Sequence, residues 1–196
     1  YRKPDEFDVT GIAYKPGFGS INMKKVLRTR QEDPYLTPYV LHIEMGVGGI
    51  GEFPIEQIMT SVSNVSFLIP GEKFTDEKIH QLKRHLVGQF RLHESDIDVR
   101  YNISLICVVG QYMKDRVGIN YRVAGALASS GVSTSHIIQG GSELSIIYGL
   151  QESNSDSIKA RNGVRAIYQE FFVDPAFGKF LQEHRDKKPK SLYTKT

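Results

Sequence analysis

Residues 103–147, ISLICVVGQYMKDRVGINYRVAGALASSGVSTSHIIQGGSELSII, read as strand, glycine-bearing loop, helix, strand, tight turn and strand in one unbroken block. Ile103 to Val109 is an apolar, β-branched run of strand length that stops at Gly110. Val117, Tyr121, Ala124 and Leu127 or Ala128 then recur at helical spacing, and Asn120 is expected to cap the first turn. Gly131 is expected at the C′ position, where a residue without Cβ takes the left-handed conformation that ends a helix. Val132 to Gln139 returns as a strand, Gly140-Gly141 turns the chain, and Glu143 to Tyr148 runs back antiparallel.

Downstream, residues 154–171 place Ala160, Val164, Ile167 and Phe171 on one helical face, which makes the segment βαββα. One further strand turns it into a ferredoxin-like sandwich, a sheet with helices on one face. Upstream, Gly19 to Leu27 reads as a strand, residues 28–35 as a polar loop, and Tyr35 to Met45 as a helix with Pro38 in its first turn. Ile55 to Thr60 and Val65 to Ile69 are two more strands joined by a turn at Ser61 to Asn64. Thr75 then caps a helix whose stripe is Ile79, Leu82, Leu86 and Phe90, and Ile97 to Tyr101 is the last strand of this unit. The same βαββαβ order therefore occurs twice, at a period of roughly 80 residues. The fold class is α+β.

Several phrases resemble the ACT domain, in particular the second ACT domain of aspartate kinases. They are the strand SLICVVG, the loop QYMKDRVGIN, the helix ending LASSGV and the strand pair STSHIIQGGSELSII, in that order. Arg116 stands where that family usually has proline. The resemblance implies two ferredoxin-like ACT units with the first inserted into the second. Residues 1–15 are then a leading segment whose DVTGIA lends a strand to the second unit; 16–101 form the first unit, 102–173 the second, and 174–196 a short helix and polar tail. It also implies an allosteric module that binds an end-product amino acid, lysine or threonine, for feedback control of an aspartate kinase. Its partners would be the catalytic domain of the same parent chain and a second copy in a homodimer. A ligand-free ACT dimerisation element and an RNA-binding ferredoxin-like domain are the alternatives. The second needs an aromatic pattern that SLICVVG and SELSIIYG do not carry.

Composition narrows the class. The chain has 196 residues, 40% of them hydrophobic, with no apolar run near the roughly 20 residues of a membrane helix. A net charge of +3 gathers largely in the last residues, so neither nucleic acid nor membrane is expected as a partner. Cys107, the single cysteine, lies in an apolar strand and is expected to be buried and inert, which suits a reducing cytoplasm.

No constellation for catalysis stands out. GVGGIG at 46–51 follows a helix and lacks the Lys-Ser or Lys-Thr of a phosphate loop. The histidines at 42, 80, 85, 93, 136 and 184 show no metal-ligand spacing, and Ser61 and Ser63 have no local histidine and acid. The KFGGTS-like phrase that opens the kinase lobe does not occur. No catalytic residue, metal or cofactor is expected.

An amino-acid effector needs amide donors for its carboxylate and carbonyls or a carboxylate for its ammonium. By resemblance, the first unit offers Met23, Arg28, Leu36 and Thr37 around its loop and Glu56, Ile58, Thr60, Ser61 and Val62 on the opposing strand. Glu56 is either the ammonium anchor or an exposed strand residue. The second unit offers Met113, Arg116, Val117, Gly118, Ile119 and Asn120, where Gly118 would allow a ligand or partner chain to approach the backbone.

Overall fold

The structure, a computed structural model, describes residues 9–26, 43, 52–61, 63–90, 92–113, 116–140, 144–154 and 156–185. Apart from Ile43, the helix expected at Tyr35 to Met45 lies outside them, as does the whole of the glycine run at 46–51. The chain divides into two compact units. One comprises Lys15–Ser104 with Gln151–Ser157, and the other residues 9–14, 105–150 and 158–185.

In the first unit the strand order is β2-β3-β1-β4, where β1 is Gly11–Met23, β2 Gln57–Thr60, β3 Val65–Pro70 and β4 Ile97–Val109. β3 runs antiparallel to both neighbours, with Ile21 opposite Phe67 and Gln57 opposite Leu68. The helix α1, Asp76–Phe90, starts where Thr75 O accepts Ile79 N–H at 2.9 Å, and Asp76 and Glu77 in its first turn favour the positive end of the dipole. Its buried residues Ile79, Leu82, Leu86 and Phe90 are the four of the expected stripe. They cluster with Ile21, Met23, Val65, Phe67 and Ile69 from the sheet, and Ile43, Phe53, Phe74 and Leu92 are among the further members. Each fully buried apolar side chain stabilises by about 1.5–3 kcal/mol.

In the second unit the order is β1-β4-β6-β5, with β5 at His136–Gln139 and β6 at Ser145–Gln151. Thr10 N–H reaches Val109 O at 2.8 Å, and Val9 is buried with Ile106 and Val108. The helices are α2, Ile119–Ser129, and α3, Ile158–Tyr168. A π-helical turn, Gln169–Val173, leads from α3 to the C-terminal helix α4, Ala176–Arg185. α3 lies close on the sheet at Gly163, where a Cβ would stand 2.8 Å from both Ile106 and Leu127 side chains.

Several local expectations need correction. The two short strands around Pro16-Gly17 are one 13-residue strand, because Gly17 takes φ 82 and carries the chain through what reads as a break. Likewise the strand into Ile103 runs unbroken from Ile97, with Asn102 at φ 55. α2 buries Ile119, Val123, Ala126 and Leu127, whereas Val117 is 91% exposed and Tyr121, Ala124 and Ala128 are exposed too. The cause is the helix start: Gly118 at φ 93 fills the N-cap position, so Ile119 opens the helix and sets which face meets the sheet. Asn120 therefore sits inside the first turn and does not cap it. The C-terminal end follows expectation. Gly131 has φ 71, its N–H reaches Ala128 O, and Val132 N–H reaches Leu127 O, the paired bonds of a Schellman end.

Candidate functional site

In the first unit, β2 is the outer strand, and Glu56 just before it alternates with Ile58 and Thr60 within it at exposed positions. Ser61 follows, exposed, its N–H bonded to Asn64 O at 2.9 Å. Glu56 is fixed by its own N–H to Leu68 O at 2.8 Å, and its carboxylate meets Lys15 Nζ at 3.4 Å. Both side chains are open to solvent, so this pair is weak and exchanges readily with other cations. Met23 is fully buried in the core beneath the sheet. Arg28, Leu36, Thr37 and Val62 lie outside the described residues.

In the second unit, the chain leaves β4 at Gly110, whose N–H bonds Leu144 O, and turns through Met113, whose N–H returns to Gly110 O. Met113 and Ile119 are buried and Arg116 and Val117 are exposed. Asn120 Oδ1 accepts the Tyr148 hydroxyl at 2.6 Å. Burial raises the Tyr148 pKa above its ordinary value, so the ring hydroxyl is a proton donor to Asn120 at all physiological pH. The backbone approach expected at Gly118 exists, but the group that approaches is the chain's own: Leu181 Cδ1 lies 2.5 Å from where a Cβ would stand.

Sequence reasoning missed the group that organises this end of the unit. Glu170, 3% exposed in the π-helical turn, accepts Arg122 Nε–H at 2.7 Å and the backbone N–H groups of Phe177 and Gly178 at 3.0 and 2.9 Å. One carboxylate thus holds α2 and caps α4. Arg122 also lies over the Phe171 ring, 4.0 Å from its centroid. Tyr121 meets Phe177 edge-on and Phe180 in a stack. Gly118 at the N-cap of α2, Gly125 seven residues on within it, and the aromatics of α4 are the signal that was available, because small residues at that spacing let a second helix come close.

Elsewhere chemistry is sparse. Cys107 is half-buried, less than expected, and desolvation pushes its thiol pKa up, away from nucleophilic thiolate. Among the described residues no group of three His, Cys, Asp or Glu could hold a metal ion, and no helix is long and apolar enough to cross a membrane.

Residues 106–171 match the ACT domain. Aspartokinase 3 of Bacillus subtilis is 29% identical over 173 residues, which is 84% of this chain and 34% of that protein. The crystal structure of aspartate kinase from Clostridium acetobutylicum matches with a TM-score of 0.69 and 25% identity, over 83% of this chain and 34% of that one. The regulatory subunit of aspartate kinase from Thermus flavus matches with a TM-score of 0.63 and 18% identity, over 83% of this chain and 98% of that one. The chain therefore spans about a third of the length of the aspartokinase from Bacillus, and nearly all of the length of a separate regulatory subunit.

Proposed function

We propose that this chain, which resembles the ACT-bearing regulatory region of aspartate kinases and carries no catalytic lobe, binds an end-product amino acid and passes that binding on as feedback control. Support comes chiefly from the match to aspartate kinases over more than four-fifths of the chain. Lysine or threonine is the effector. E. coli aspartokinase III, a fold neighbour at 14% identity, is known in complex with lysine and aspartate.

Within this chain, residues 16–101 and 102–173 are the two ACT domains, and the leading segment to residue 15 serves the second. The first unit receives the effector, with Glu56 anchoring the ammonium and Ile58, Thr60 and Ser61 beside it. Exchange of the exposed Lys15 partner for the ligand's own ammonium is chemically easy, since a solvent-exposed ion pair contributes at most about 1 kcal/mol. A homodimer in the cytoplasm, joined to a kinase lobe, is the setting. Linkage then requires the amino acid to bind one arrangement of the modules better than another.

The second reading is a ligand-free dimerisation element. It is favoured by Glu56 already having a cation and by Gly118 already being covered. Calorimetric titration with lysine, threonine, methionine and isoleucine decides between them. Saturable heat with one of the four supports effector binding, and no heat with any supports the dimerisation element.

A further inference from the structure

We propose that the outward face of α3 is a docking surface for a protein helix that carries two carboxylates, one turn apart, between apolar residues. α3 buries Ala160, Gly163 and Ile167. Its opposite face turns Ile158, Arg161, Arg165 and Tyr168 to solvent, at spacings of three, four and three, so the four stand in one row. Ile158 is 52% exposed and Tyr168 55%, far more than apolar side chains without a partner require. Rows at this spacing are the seams along which one helix takes another.

The chemistry of the row selects the partner. From Ile158 to Gln169 the sequence carries Lys159, Arg161 and Arg165 and no acid. Among the described residues neither Arg161 nor Arg165 has an ion pair or a hydrogen bond. The carboxylates that flank the helix in sequence are already engaged: Asp156 accepts Asn154 Nδ2–H at 2.9 Å, Glu170 is held by Arg122, and Asp174 meets Lys179 Nζ at 2.7 Å. Two guanidiniums in the middle of an otherwise apolar row are met best by carboxylates, which accept their N–H groups in charge-assisted hydrogen bonds. The same charge excludes two nearer occupants. A second copy laid on this face by a two-fold axis would bring four arginines together, and residues 186–196 carry Lys187, Lys188, Lys190 and Lys195 against Asp186.

Geometry favours protein over lipid or nucleic acid. A rise of about 1.5 Å per residue sets the two arginines about 6 Å apart along the axis and Ile158 about 15 Å from Tyr168, which matches one face of a partner helix of about three turns. A helix lying on a membrane needs a wide apolar face, and a phosphate backbone needs a broader basic footprint than this row offers. Arginine and tyrosine are the residue types that anchor protein interfaces. None of the residues assigned to the effector lies on this face, so docking can be followed with no amino acid present.

The test is calorimetric titration of the full chain with a synthetic helical peptide, one face of which reads Leu, Glu, Glu, Leu at spacings of three, four and three, on a background of alanine and glutamine. Alongside it run the same peptide with lysine for glutamate, the acidic composition in scrambled order, phosphatidylcholine vesicles containing phosphatidylserine, and a DNA duplex. Saturable binding of the patterned acidic peptide alone is expected. Arg161→Glu/Arg165→Glu should weaken it by at least about tenfold and take up the lysine peptide instead, and Ile158→Ala/Tyr168→Ala should weaken it too. Should the charge-reversed chain fail to fold, Arg161→Gln/Arg165→Gln is expected to show the same loss. No binding of the acidic peptide, equal binding of the scrambled or lysine peptide, affinity that survives the arginine substitutions, or binding of vesicles or duplex as tight as that of the peptide overturns the proposal.

Discussion

Arg122 and Glu170, 48 residues apart in sequence, form a buried charge pair, Nε to Oε1 2.7 Å, in which the carboxylate also accepts two amides of the following helix. Burying two charges costs several kcal/mol of lost hydration, and only further hydrogen bonds make the arrangement favourable. Glu170 has them.

Removing one partner should therefore hurt more than removing both. Arg122→Ala is expected to lower unfolding free energy by about 3 kcal/mol, whereas Arg122→Met/Glu170→Met should cost clearly less, because no uncompensated charge remains. Urea unfolding of the three chains measures this. Equal losses in the single and double variants would contradict it.

Gly118→Ala combines two penalties, a left-handed φ of 93 and the collision with Leu181. A loss of about 1–3 kcal/mol is expected. Leu181→Ala in the same chain should recover only the collision part, so a double-mutant cycle on thermal midpoints should show coupling between the two positions.

Tyr101 titrates from its ordinary 10.0 up to about 12, first through burial and then through its hydrogen bond to Asp76 and that residue's charge. The unfolded chain loses this proton first as pH rises. Stability associated with Tyr101 is thus intact below pH 10.0 and declines as pH climbs toward about 12. Unfolding curves across that alkaline range should fall, and Tyr101→Phe should flatten the fall.

Glu56→Ala should weaken lysine or threonine binding by about 1.5–3 kcal/mol, the usual loss of a charge-assisted hydrogen bond. Lys15→Ala should do the opposite and tighten binding slightly, since it removes the competing cation. Unchanged affinity in both variants would remove Glu56 from the site.

How much of this is legible from residues alone depends on how local its cause is. The stripe Ile79, Leu82, Leu86 and Phe90 lies in one uninterrupted helix, so spacing alone gives its buried face. α2 is different. Its sequence carries two faces of similar apolarity, Ile119 with Val123 and Val117 with Tyr121, and only the left-handed Gly118 decides which turns inward. Pro16-Gly17 reads as a break for a similar reason, because a positive φ at Gly17 cannot be told from a turn without knowing that both flanks are paired. On the proposed site, the resemblance singles out Glu56, Ile58 and Thr60, and the observed alternation leaves all three exposed. Glu170 had no such signal, since its partners are distant residues and backbone amides that a side-chain pattern does not display.

The pairing of Thr10 with Val109 spans 99 positions, and this has a bearing on the order of events during synthesis. Residues 9–14 are made before Lys15–Ser104 but find their strand partner only after the whole of that segment has been made. Loop closure over such a span is entropically costly, though the cost grows only by about 0.6 kcal/mol per doubling of length. The intervening segment, already folded, brings the ends together and shortens the search. In refolding, protection of Leu82 and Leu86 amides should therefore appear before that of Thr10, so a strand made ahead of the intervening segment settles after it.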